Sequence, residues 1–116
     1  MIKVIPLEVI ESELTENTHV SFVVDRADQD TFLPSPDLDR GWVLWLFLGH
    51  RDAERMAHLM KKAAPAYKGK DLIALSDSWK NIRASVIANH EQMALISPND
   101  AREYFKDYEE YFTDFE

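Results

Sequence analysis

His50, Glu54 and His58 recur at intervals of four, which on an α-helix stacks an imidazole, a carboxylate and a second imidazole in one column. These are zinc-ligand types, and zinc requires donors that converge to within about 2 Å of the ion. Positions i and i+8 lie about 12 Å apart along a helix axis, too far for all three groups to share one ion. Lys61 projects from the same sector, where its charge opposes a cation. The column therefore reads as an exposed polar helix face, and neither a metal nor another cofactor is expected.

Asp25, Asp28 and Asp30 form D-x-x-D-x-D, which has the oxygen donors of a calcium loop. The glycine turn and closing bidentate glutamate of such a loop are missing, and Gln29, Thr31 and Phe32 stand in the stretch instead. An acidic surface loop able to face a basic partner is the better reading. His90 shares an apolar helical sector with Trp79 and Val86, where an imidazole could serve as a general base. A hydrogen-bonded core or boundary histidine is the commoner use of such a position. No G-x-S-x-G elbow, H-E-x-x-H or glycine-rich phosphate loop occurs in a chain with three glycines. Glu109 and Glu110 sit on a solvated helix without the apolar pocket that raises a carboxyl pKa for acid catalysis. No catalytic residue is assigned.

Charge is therefore the next guide. The chain of 116 residues carries -8 overall. Residues 1–41 contribute -6, residues 42–101 contribute +2 and residues 102–116 contribute -4. Acidic ends disfavour nonspecific contact with nucleic acid or anionic lipid and favour a cationic partner, although solubility alone would also explain them. Arg51, Arg55, Lys61, Lys62, Lys68, Lys70, Lys80 and Arg83 make the middle basic. Only Tyr67 and Trp79 offer interleaved rings there, so internal pairing with the acidic ends suits these cations better than a nucleic-acid surface. The absence of cysteine suits a reducing cytoplasm. No apolar run approaches the roughly 20 residues that span a bilayer, and the first dozen residues lack a secretory pattern.

The elements that must position these groups are legible in outline. One compact domain over residues 1–116 is expected, since 46% apolar content supports a core in a chain too short for two ordinary domains. Ile2–Ile10, interrupted by Pro6, reads as an edge or broken strand. His19–Asp25 reads as a second strand, and Arg26–Gly41 as a loop punctuated by Pro34 and Pro36. Trp42–Leu48 favours a strand buried on both faces. Asp52 is the expected N-cap of a helix whose face comprises Ala53, Met56, Ala57, Met60, Ala63 and Ala64, with Pro65 as its stop. Gly69 marks a turn between Tyr67 and Lys70, followed by a short strand or helix approach at Asp71–Leu75. Ser76 or Ser78 could cap a helix with Trp79, Ile82 and Val86 inward. Asn89-His90 could close it and leave Gln92–Ile96 as a strand. Ser97-Pro98-Asn99-Asp100 is a helix start with serine at N-cap and proline at the first helical position.

That last helix leads into Arg102–Glu116, where six of the chain's twenty-one acids surround six rings. On a continuous helix Tyr104, Phe105, Tyr108, Tyr111, Phe112 and Phe115 span an arc of roughly 120°, bordered by Glu103, Asp107 and Asp114 on one side and Glu109 and Glu116 on the other. Core packing accounts for at least half the rings, and the rest could anchor a contact whose carboxylates meet lysine or arginine.

The expected fold is α+β: a small mixed or antiparallel sheet of three to five strands, about three packed helices and a C-terminal amphipathic aromatic helix. The expected function is that of a non-catalytic, acidic protein-binding module in the cytoplasm. It would act as an inhibitor, immunity or antitoxin-like protein that masks a basic partner such as a nuclease toxin, an analogy of size and charge alone. The expected contact residues are Asp28, Asp30, Asp37, Asp39, Glu103, Asp107, Tyr108, Glu109, Glu110, Tyr111, Asp114 and Phe115. The alternatives are a ligand-binding or enzymatic domain built on His50, His58 or His90 with a carboxylate, and a homodimer paired through its terminal helices.

Overall fold

Three valines and Phe22 make His19–Asp25 (β1) the central ruler of a six-stranded α+β fold. The structure is a computed structural model that describes residues 7–37, 41–89 and 92–115. One edge of β1 pairs antiparallel with Leu72–Ser78 (β5) along its whole length, from His19 opposite Ser78 to Asp25 opposite Leu72. Its other edge meets Gly41–Phe47 (β4) only at Ser21 and Phe47, and the two strands then part. Asp28–Phe32 (β2) runs into that fork along β1, and Ser35–Asp37 (β3) leaves it along β4. Met93–Ile96 (β6) lies parallel to β4 on its far side, so the sheet is mixed. The strand count exceeds the expected three to five by one.

Leu33 and Pro34 form the apex of the fork. The Leu33 amide donates to the Val23 carbonyl, and the Tyr67 hydroxyl donates to the Pro34 carbonyl. Burial around that phenol pushes its pKa up to about 12, so it remains a donor throughout the ordinary pH range. Tyr67 is held by a turn in which the Lys70 amide donates to the Tyr67 carbonyl, with Gly69 at φ +82°. A Cβ at Gly69 would meet no atom within 4 Å, so the strain of Gly69→Ala is confined to the backbone. The expected cost is about 1–2 kcal/mol, measurable by urea denaturation, with Gly69→Asn costing less.

Helices cover both faces. His50–Ala63 (α2) and Pro98–Lys106 (α4) pack on Val43, Trp45 and Phe47, while Leu7–Glu13 (α1) and Trp79–Asn89 (α3) pack on Leu44 and Leu46. Residues 43–47 of β4 are therefore buried on both sides, as the apolar run predicts, whereas Trp42 at its start is exposed. In α2, Ala53, Met56, Ala57, Leu59 and Met60 are buried, while Ala63 is exposed. Trp79, Ile82 and Val86 face the opposite core.

Several local expectations change. The described part of the first segment is helical rather than extended, because Ile10 and Leu14, one turn apart, both enter the core. Residues 26–41 contain two strands instead of only a loop. Gly49, not Asp52, occupies the N-cap position of α2, and no side chain caps it. At α3 the Trp79 and Lys80 amides donate to the Thr18 and Glu16 carbonyls, which satisfies them without a serine cap. The Asp77 carboxylate accepts from the Ser78 amide and from Asn81, and these bonds, that of Asn81 foremost, lower its pKa. Ser97 caps α4 as expected, accepting from the Asp100 amide at 3.2 Å.

Candidate functional site

The C-terminal aromatic stretch is not one helix. α4 stops at Lys106, and a 3-10 turn follows over Glu109–Phe112. Asp107, Glu109 and Glu110 place negative charge where a continuing helix would carry its negative dipole end, and aromatic residues add little helix propensity against that repulsion. The turn is held instead by i→i+3 bonds, from the Tyr111 amide to the Tyr108 carbonyl and from the Phe115 amide to the Phe112 carbonyl. Phe105 is buried, and Tyr104, Tyr108, Tyr111 and Phe112 pack half-buried against the same core as α2.

A set of contacts fastens this segment to α2. His58 Nε2 lies 2.8 Å from the Tyr111 carbonyl oxygen and 3.1 Å from Asp114 Oδ1. Two acceptors on one ring nitrogen require Nε2 to carry a proton and donate. Lys62 Nζ donates to both Asp114 oxygens at 2.6 and 2.7 Å. The His58 ring packs on Phe112 and Phe115 with centroids 5.9 and 5.2 Å away, and the Arg51 guanidinium lies 4.4 Å from the Phe115 ring centre. Asp114 and Phe115, both expected in a partner contact, are thus engaged within the chain.

The Lys62 hydrogen bond holds the Asp114 carboxyl below its ordinary pKa of 3.8, with His58 contributing less. Because the folded value is depressed, the tie stabilises the segment above the unfolded pKa and is lost as pH falls through the folded one. Phe112 and Phe115 ring resonances are therefore expected to move below the ordinary carboxylate range. In Lys62→Met the midpoint should rise toward the ordinary carboxylate value. An unchanged midpoint in an NMR pH titration would show that Lys62 does not hold Asp114.

The remaining expected contact residues divide between the faces of the sheet. Glu103, Asp107, Glu109 and Glu110 are exposed, and no hydrogen bond or ion pair engages their carboxylates among the described residues. Tyr108 and Tyr111 stand half-buried beside them. Asp30 lines a depression with Phe22, Phe32 and Ile82, on the α3 side. Asp28 is exposed and accepts from the Thr31 hydroxyl at 2.8 Å. Asp37 is described as a backbone pair with Gly41 at the end of β3, while Asp39, His90 and Glu116 lie outside the described residues. Among the described residues the acids of the two ends do not form one surface.

Among the described residues the histidines do not converge either. His50 Nδ1 lies 3.1 Å from the hydroxyl of Ser21, a residue 2% exposed and so closed to substrate. His58 belongs to the C-terminal fastening two turns farther along α2. Among the described residues no group of three potential metal ligands comes together. Several basic side chains pair with the acidic ends: Lys62 with Asp114, Lys70 with Asp25 and Arg83 with Glu11. Such exposed pairs contribute about 0–1 kcal/mol each.

Sequence reasoning did not bring together a second feature of the segment. Arg55, Arg102, Phe105, Lys106, Glu109, Phe112 and Phe115 line an open cleft of about 360 Å³ between α2 and the C-terminal residues. Its signal was a pair of i, i+4 basic spacings, Arg51/Arg55 and Arg102/Lys106, on two helices distant in sequence. Asp52 stands near Arg55 and Arg102; burial raises its pKa, and the two guanidinium groups oppose that rise. No protein family, curated protein or solved structure matches this chain. Among the described residues no helix is long and apolar enough to cross a membrane.

Proposed function

We propose that this chain is a non-catalytic, cytoplasmic binding module that engages a basic protein through the outer surface of its C-terminal segment. It acts as an inhibitor of the immunity or antitoxin kind, masking a cationic partner such as a nuclease toxin. The observation that carries this reading is the group of four exposed carboxylates, Glu103, Asp107, Glu109 and Glu110, without partners among the described residues. Tyr108 and Tyr111 lie half-buried at their side. Carboxylates steer a cationic surface and stand where substrate phosphates would, while tyrosines supply contact area with few torsions to immobilise. Asp114 keeps the surface in place instead of meeting the partner, and Asp28 and Asp30 fall outside this contact.

Affinity capture from the source cell tests the reading when wild type is compared with a Glu103→Gln, Asp107→Asn, Glu109→Gln, Glu110→Gln variant. Wild type is expected to retain a basic protein that the neutralised variant recovers poorly. Equal recovery by both would contradict the proposal.

A further inference from the structure

The cleft between α2 and the C-terminal segment carries the opposite sign from the surface just described. With Phe105 and Ala101 turned into the core, helical geometry puts Glu103 and Asp107 about 160° away, toward solvent, and Arg102 and Lys106 on one flank about 60–100° away. That flank faces Arg55 of α2 across the cleft. Three cations and one carboxylate, Glu109, give the lining a net charge of +2 in a chain whose total is -8.

Arg55, Arg102 and Lys106 make no hydrogen bond among the described residues, so their donors are open to a ligand, while Asp52 stands within electrostatic reach of the two guanidinium groups. The remaining wall is aromatic. Phe112 meets Phe105 and Phe115 edge to face, with centroids 5.3 and 5.9 Å apart, and Arg51 caps the Phe115 ring. A cleft of about 360 Å³ falls within the roughly 300–1,000 Å³ range of small-molecule sites.

We propose that this cleft binds a small phosphomonoester with an aromatic body. The phosphate sits among Arg55, Arg102 and Lys106, and the ring rests on Phe105, Phe112 and Phe115. Charge favours phosphate over carboxylate: a phosphomonoester carries about -1.5 to -2 near neutral pH and gains more from three cations than a single carboxylate does, even with Asp52 offsetting part of the charge of Arg55 and Arg102. Guanidinium groups also offer paired N–H donors to phosphate oxygens. The ring wall selects an aryl ester over inorganic phosphate. This binding uses the inner flank of α4 and shares only Glu109 with the acidic contact.

The test is isothermal titration of the intact chain with phenyl phosphate, inorganic phosphate and phenylacetate at neutral pH. Phenyl phosphate is expected to saturate at one per chain and to bind at least about tenfold more tightly than either comparator, a difference of about 1.4 kcal/mol. Arg102→Gln should weaken it by about tenfold or more, and Glu109→Gln should tighten it severalfold by removing the opposing charge. Thermal melts confirm that both variants are folded, and the opposite signs separate a binding effect from damage. Absence of saturable binding, equal affinity for inorganic phosphate, or indifference to both substitutions would overturn the proposal.

Discussion

Phe47→Ala is expected to destabilise the fold by about 3–5 kcal/mol, a large share of the roughly 5–15 kcal/mol that holds a domain together. Phe47 is 1% exposed and stands at the residue pair that joins β1 to β4 among the described residues, with Ile96 of β6 opposite its other edge. Its ring stacks on Trp45 at 6.5 Å within the core shared with α2 and α4. Removing it opens a cavity where three strands and two helices meet, and β-strand backbone cannot readily collapse into such a space. The melting temperature should fall by about 10–25 °C. Leu48, the next residue, is 42% exposed, so Leu48→Ala should cost less than about 1 kcal/mol. Comparable losses from both substitutions in thermal or urea denaturation would contradict the burial of β4 on both faces.

That strand was legible because the core of its apolar run, residues 43–47, needs burial on both faces and its flanking glycines bound its length, although Trp42 and Leu48 at the ends of the run are exposed. α2 and the Ser97-Pro98 start were legible for a similar reason, since helix periodicity and capping act within a few residues. β2 and β3 were not. Asp28-Gln29-Asp30-Thr31 is exposed throughout, and Pro36 removes one amide donor, so only the fork between β1 and β4 makes these residues extended. The first segment failed in the opposite way: the branched residues of Ile2–Ile10 suggested a strand, while the one-turn spacing of Ile10 and Leu14 decided for a helix over Leu7–Glu13. At the candidate site the acids could be named from composition. Their grouping could not, because the split between two sheet faces depends on topology. Asp114 looked like a free carboxylate until α2 placed Lys62 and His58 against it.

Neutralising Glu103, Asp107, Glu109 and Glu110 is expected to slow association with the basic partner by at least about tenfold at low ionic strength. The four carboxylates are exposed and carry no hydrogen bond or ion pair among the described residues, so folding stability should change little. Their effect is long-ranged attraction between encounter partners, which salt screens over about 10 Å at 0.1 M and 3 Å at 1 M. The dissociation rate depends more on the rings and other close contacts, so substituting Tyr108 or Tyr111 should alter that rate and spare the salt dependence.

The association rate constant of the captured basic partner, measured across a salt series for wild type and the neutralised variant, tests the central claim most directly. The acidic-surface account predicts a steep fall with salt for wild type, a shallow one for the variant, and convergence of the two rates at high salt. Equal rates and parallel salt slopes at every concentration would contradict it.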